Sequence, residues 1–382
     1  MRIGIDARMY GPKIGGAGVG RYVEEMILAL QQADDEHEYV VFLRKKNFAN
    51  CPTPNKRWTK VVADIPWYGL REQLWMPGIL RRQKLDVVHF PHFNVPILTE
   101  IPYVVTVHDL TMLDQTWESR ATTRGRLLYE LKRRAQRFIL NRIARDARAV
   151  VTVSEHAKNQ IIHTLPISAD KVHVVYNGID RAKDWAHKTK TKTVAEPLPS
   201  GIKPPFILNV GNPYPHKNIE TLLHAFSFFV REYPHAHLVL VGPENTFTKR
   251  LKREAREIEI PAGRVHFLGF VDDALLSRLY ASAALYVIPS KMEGFGLPPL
   301  EALAHGTPVA ASRASSIPEI LGPAAVYFNP NDIEDLYRAM EQLFKDKTVR
   351  TRVLAAAPAV LARYSWTDHA RALIDLYRIA AK

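Results

Sequence analysis

The chain has 382 residues, 47% of them apolar, with 52 Lys and Arg against 39 Asp and Glu for a formal net charge of +13. That length exceeds one small core and suits two α/β domains, and the basic balance fits anionic partners such as phosphate-bearing ligands or anionic lipid. No apolar run approaches the ~18 residues of a membrane span, and a single cysteine, Cys51, excludes an internal disulfide framework.

Arg2–Asp6 reads as a buried strand rather than as part of a signal peptide, which, with the lone cysteine, favours a cytoplasmic protein. The loop Gly15-Gly16-Ala17-Gly18-Val19-Gly20-Arg21 follows, and an amphipathic helix is expected over Val19–Gln32. Glycines let backbone amides approach an anion at a helix start. No G-x-G-x-x-G register fits, and Arg21-Tyr22 stands where a P-loop needs Lys-Ser/Thr. An anion site and a plain mobile turn both remain open.

Valine-rich runs at Tyr39–Leu43, Val87–Phe90, Tyr103–Val107 and Ala149–Val153 fit strands buried on both faces of a parallel sheet. The third ends in His108-Asp109, at the strand end where open α/β sheets place ligands. His108 either meets a sugar hydroxyl there or is satisfied by its neighbours.

From Arg120 to Arg148 there are ten Lys or Arg and two acids. Leu127, Leu128, Leu131, Ala135, Phe138, Ile139 and Ile143 fall on one helix side; Arg126, Arg133, Arg134 and Arg137 fall opposite. This reads as a core-packing helix with a solvated basic face, or as a peripheral contact between 120–148 and an anionic membrane that would bring a lipid-linked acceptor close. Without an interleaved aromatic platform, no nucleic-acid partner is expected.

Asp184–Pro205, with four lysines and four prolines, reads as a linker. Alternation restarts with strands expected at Phe206–Val210, His237–Val241, Val265–Leu268, Leu285–Ile288 and Pro308–Ala311, giving a second doubly wound sheet. The stretch Gly211-Asn212-Pro213-Tyr214-Pro215-His216-Lys217-Asn218 follows the first of these. Lys217 is a point charge for a phosphate, or simply solvated. After Leu285–Ile288 comes Glu293-Gly294-Phe295-Gly296-Leu297-Pro298-Pro299-Leu300-Glu301. Its glycines allow close ligand approach, and its prolines suit a first helical turn. Glu301 is expected in that same turn, so that two carboxylates could each hold a pair of hydroxyls on either side of a diphosphate. A closing helix starts at Tyr364, with Ser365 and Asp368 at capping-box spacing and an apolar stripe of Ala370, Leu373, Ile374 and Tyr377.

The E-x7-E string and its continuation to Val309 resemble the retaining GT-B glycosyltransferases of family 4. So do the glycine loop, His108-Asp109, Val153-Ser154-Glu155, Val175–Asp180, Leu240-Val241-Gly242 and Tyr364-Ser365-Trp366, and the likeness covers nearly the whole chain. It implies an α/β, GT-B fold: two Rossmann-like domains facing a cleft, over 1–183 and 205–363, with a linker at 184–204 and a final helix, 364–382, packing back on the first domain. It also implies roles. Glu301 would bind the ribose and Glu293 the donor sugar, helped by amides of Gly294, Phe295, Gly296 and Leu297. Lys217 would neutralise the diphosphate, with Gly16 and Gly18 near the phosphates. His108 would contact the transferred sugar, and Phe270 and Val271 would border the base. The family usually adds an arginine, where this chain has Asn212 and His216; those two, or Arg21, would have to share the anion.

The resemblance further implies a nucleotide-sugar donor without a cofactor, same-face attack with retention, and a saccharide or lipid-linked acceptor. GDP-mannose is the first expectation for the donor and a UDP-sugar the runner-up. No D-x-D motif is present, so no metal is expected. A nucleotide-sugar epimerase, a phosphorylase and a non-catalytic binding protein are the competing readings.

Overall fold

The computed structural model describes residues 1–113, 126–180, 182, 184, 187 and 197–382. These form two compact units: 1–113 with 126–178 and 365–382, and the described part of 179–364.

The first unit is built on seven strands: β1 (Arg2–Asp6), β2 (Glu38–Leu43), β3 (Trp58–Val62), β4 (Val87–Phe90), β5 (Tyr103–Thr106), β6 (Ala149–Thr152) and β7 (Val172–Val174). They are ordered β3-β2-β1-β4-β5-β6-β7, and every pairing is parallel. Successive side chains of a strand point to opposite faces. Tyr39, Val41 and Leu43 accordingly enter one apolar layer, and Val40 and Phe42 the other. Burial on both faces explains why these strands read as unbroken apolar runs.

The closing helix, Trp366–Ala380, belongs to this unit. Ser365 caps it, accepting from the amides of Thr367 and Asp368. Its expected stripe of Ala370, Leu373, Ile374 and Tyr377 is buried in the layer that also holds Ile3, Ile5 and Met26. Gly178 makes the close approach possible: a Cβ there would lie 2.2 Å from the Trp366 nitrogen.

The second unit carries β8 (Phe206–Val210), β9 (His237–Val241), β10 (Val265–Phe267), β11 (Leu285–Ile288), β12 (Val309–Ser312) and β13 (Val326–Phe328). Their order is β10-β9-β8-β11-β12-β13, again parallel throughout. The chain therefore reverses its winding between β1 and β4 in one sheet and between β8 and β11 in the other. In open α/β sheets ligands bind outside the strand ends at such points.

Three strands escape the sequence reading: β3, β7 and β13. All are sheet edges. β7 and β13 have only three residues each, and polar Thr59 and Lys60 interrupt β3.

The basic helix, Arg126–Asp146, corrects the apolar stripe drawn from its sequence. Leu140, Ile143, Ala144 and Ala147 enter the core, whereas Ala135 is exposed and Phe138 is 60% exposed. Among the described side chains of this helix, those that enter the core come from its C-terminal turns, after Phe138. Arg134 and Arg137 are exposed. Residues 120–125, and the side chains of Arg126, Leu127, Leu128, Leu131 and Arg133, lie outside the described residues. So does most of the expected linker 184–204. No helix among the described residues is long and apolar enough to cross a membrane.

Candidate active site

The loops after β8 and β11 meet at the switch point of the second sheet. Pro215–Lys217 forms a single 3₁₀ turn, and Asn218 follows in the left-handed region at φ 57°. Asn218 is 5% exposed, and its side-chain amide donates to the Pro289 and Pro330 carbonyls, at 3.1 and 2.8 Å. The Lys291 amide donates to the His216 carbonyl at 2.8 Å. These bonds join the two loops, and across them Lys217 Nζ lies 2.7 Å from Glu293 Oε2.

Glu293 is held on every side. Ser290 donates to its Oε1 at 2.8 Å. Its amide donates to Ser315 Oγ at 2.9 Å, and its carbonyl accepts from Ser315 and Ser316 at 2.6 and 3.0 Å. Gly294, Phe295 and Gly296 are buried behind it. Gly296 adopts φ 93°, a conformation that favours glycine, and from it springs the helix Leu297–Ala304 with both prolines in its first turn.

Because that helix begins at Leu297, Glu301 falls beyond the first turn, which corrects the expectation that it would sit inside it. A left-handed glycine cap starts the helix before the prolines rather than at them. Tyr280, fully buried, donates to Glu301 Oε2 at 2.8 Å. His305 sits one turn on, with Nδ1 at 2.8 Å from the Glu301 carbonyl and Nε2 at 2.7 Å from Ser277 Oγ.

The remaining residues of this unit frame the same strand ends. Gly242 is packed so closely that a Cβ would lie 2.0 Å from the Gly211 carbonyl. A cavity at these strand ends is lined by Gly211, Gly242, Leu240, Phe267 and Gly269. The Asn212 carbonyl accepts from the Tyr214 amide. Phe270, 57% exposed, and half-buried Val271 follow Gly269.

In the first unit, the glycines of the N-terminal loop divide by role. Gly15 and Gly20 are packing residues: a Cβ would lie 2.2 Å from the Met9 carbonyl in one case and 2.3 Å from the Gly11 carbonyl in the other. Gly16 and Gly18 have open space around them. Gly16–Gly20 is a single π-helical turn leading into the helix Arg21–Ala33.

His108 lies just beyond the end of β5. Its Nε2 is 3.0 Å from the Pro91 carbonyl and its ring meets Tyr22 edge-on at 4.6 Å. Burial holds its pKa below the usual histidine value. His92, from the loop after β4, lies 5.9 Å away ring to ring, and burial pushes its pKa down to about 3. Tyr68 hydrogen-bonds His92 Nδ1 at 2.8 Å from a left-handed backbone at φ 62°.

Beneath these groups runs a buried chain: Tyr377 to His89 at 2.6 Å, His89 to Thr106 at 2.9 Å, Thr106 to Tyr22 at 3.1 Å and Tyr22 to His369 at 3.2 Å. Burial holds His89 at about 3 and His369 at about 4. Beside it Arg8, wholly buried, forms a bidentate contact with Asp6 at 2.8 and 2.6 Å and reaches Glu72 at 2.5 Å.

Sequence reasoning missed Tyr280, His92, Tyr68 and the Arg8 cluster. His92 had a signal, since it follows β4 as His108 follows β5. Tyr280 had none, being one aromatic in an ordinary helix. Among the described residues, no group of three or more His, Cys, Asp or Glu is placed to hold a metal ion.

Two parallel, doubly wound sheets with a final helix returning to the first unit, and a Lys–Glu pair across a switch point, define a GT-B protein. The chain belongs to glycosyltransferase family 4: the family model Glycosyltransferase Family 4 matches residues 16–183, and Glycosyl transferases group 1 matches 191–359. It is 30% identical to the O-antigen chain mannosyltransferase B of Escherichia coli, over 95% of this chain and 96% of the relative. It is 32% identical over 246 residues to the serotype-specific mannosyltransferase WbdA of the same organism, covering 62% of this chain but only 30% of that longer protein. In structure it resembles the sucrose-phosphate synthase of Thermosynechococcus elongatus, with a TM-score of 0.76 at 20% identity over 99% of this chain and 98% of the other.

Proposed function

We propose that this protein transfers mannose from GDP-mannose, with retention of configuration, to a saccharide or lipid-linked acceptor in polysaccharide assembly. The names of its sequence relatives support the sugar and the setting. The observation that carries the reading is the contact of Lys217 with Glu293, from loops joined at the switch point, with Glu301 fixed by Tyr280 one helix away.

Cleaving the glycosyl–phosphate bond builds negative charge on the leaving diphosphate. Lys217, with the amides from Gly294 to Leu297, is placed to stabilise that charge, and preorganised groups of this kind commonly supply most of an enzyme's rate enhancement. Glu293 is then free to hold the donor sugar and Glu301 the ribose, while Phe270 and Val271 border the base. Asn212 and His216 stand where relatives commonly have an arginine, so Lys217 carries more of the anion here. In the first unit His108 is the residue proposed to meet the sugar. Held neutral by burial, it can accept or donate a hydrogen bond, and Gly16 and Gly18 offer open backbone to an anion.

The leaving phosphate accepts the acceptor's proton on the same face, so no enzymic nucleophile, cofactor or metal is assigned. We place the enzyme in the cytoplasm. The exposed Arg134, Arg137 and Phe138 keep the basic segment a candidate for contact with an anionic membrane. A thermal-shift comparison of GDP, UDP and ADP tests the donor, since a ligand that binds only the native state raises its stability. GDP alone raising the melting temperature supports the reading; a rise with UDP alone replaces GDP-mannose by a UDP-sugar.

A further inference from the structure

The helix Leu70–Arg81 is anchored from within and apolar without. On its inner side Glu72, Met76, Pro77 and Leu80 are buried. Glu72 binds Arg8, accepts from Asn94 at 2.9 Å and caps the chain by accepting from the Tyr68 amide at 2.8 Å. On its outer side Leu70 is 82% exposed, Leu74 67% and Trp75 56%. Leu98, 59% exposed, lies on a loop tied to this helix, its neighbour Ile97 donating an amide to Gln73 at 2.8 Å.

Three large exposed apolar side chains on one short helix, with a fourth on the loop tied to it, mark an interaction site rather than the usual scatter of single exposed residues. A helix of 12 residues has marginal stability of its own. The buried ion cluster under Glu72 holds this one in place, so its outer face is a firm platform.

The charge around the patch identifies its partner. Arg71 lies over the Trp75 ring at 5.6 Å, and Arg81, Arg82 and Lys84 are exposed. Glu72 is paired with Arg8, and Glu100 with Arg81 at 3.2 Å, so Arg71, Arg82 and Lys84 stand against exposed Asp86 and the rim stays basic. Leucine and tryptophan on one face with arginine and lysine at its rim is the composition of a helix that lies in a bilayer interface, where the indole sits at the headgroup level and the cations meet anionic lipid.

We propose that the outer face of Leu70–Arg81, with Leu98, seats this enzyme on an anionic membrane surface. This deepens the lipid-linked reading of the acceptor, and its test needs neither donor nor acceptor, so its failure would leave the transferase reading standing. The full chain is floated with vesicles of phosphatidylglycerol and phosphatidylcholine, and with phosphatidylcholine alone, at physiological salt. The native chain is expected to float with the anionic vesicles and at least about tenfold less with the neutral ones. The double variant Leu74→Ser with Trp75→Ser should float at least about tenfold less than native, because the lost apolar area no longer enters lipid. Its melting temperature should be unchanged, since both side chains are exposed. Failure of the native chain to float, equal flotation with neutral vesicles, or undiminished flotation of a folded double variant would each overturn the proposal.

Discussion

Lys217 Nζ and Glu293 Oε2 stand 2.7 Å apart although 76 residues separate them in the chain. Each comes from the loop after one of two paired strands, β8 and β11. Their side chains are 24% and 13% exposed, enough for a ligand to reach them. On the proposed function, a diphosphate arriving here would exchange one anionic partner of Lys217 for another, and the contact with Glu293 positions the lysine beforehand.

Lys217→Met should therefore lower kcat by about a hundredfold to a thousandfold, the usual cost of removing one preorganised group from a developing anion. Steady-state kinetics with a saturating donor would measure it. A variant within threefold of native would remove Lys217 from the chemistry.

Tyr280 does not reach the donor in this scheme; it aims Glu301. Tyr280→Phe should raise the donor KM a few-fold with kcat held, the pattern of lost uniform binding. Glu301→Ala should raise KM further. Equal kcat losses in both variants would contradict a binding role for Glu301.

Glycine substitutions should separate packing from function. Gly178→Ala forces a methyl against Trp366 and should cost about 1–3 kcal/mol of stability. Gly18→Ala meets nothing and should leave the denaturation midpoint in place while weakening nucleotide binding. Chemical denaturation and calorimetric titration of both variants would check this.

His89, His92 and His369 are held neutral by burial, with pKa values of about 3, 3 and 4. Unfolded histidine titrates near about 6.5. Above that pH neither state binds these protons and they contribute no pH dependence. As pH falls below it, the unfolded chain takes up protons that the native chain refuses, so stability drops. The slope approaches about 1.4 kcal/mol per pH unit for each histidine and continues toward pH 4. Urea midpoints at pH 7, 6 and 5 should fall in that order; a flat profile would show that these rings are not buried neutral.

Turnover should survive a chelator and gain nothing from added magnesium or manganese. Loss of activity in chelator with recovery on adding metal would transfer the leaving-group role from Lys217 to a cation.

The amino-acid sequence by itself determined the class of this protein. Strands buried on both faces are apolar at most positions, so Val87–Phe90 or His237–Val241 announces itself without reference to anything distant. The Glu293–Glu301 string and the closing-helix stripe are likewise local patterns. Tertiary structure alone decided what those patterns meet. The strand order jumps from β8 to β11, and only that jump brings Lys217 to Glu293. Tyr280 finds Glu301, Arg8 finds Glu72, and Phe138 stays outside the core while Leu140 enters it, because neighbours remote in the chain set each environment. Periodicity reports which face of an element is apolar; it carries no record of which element will cover that face, and the chemistry of this site resides in those pairings.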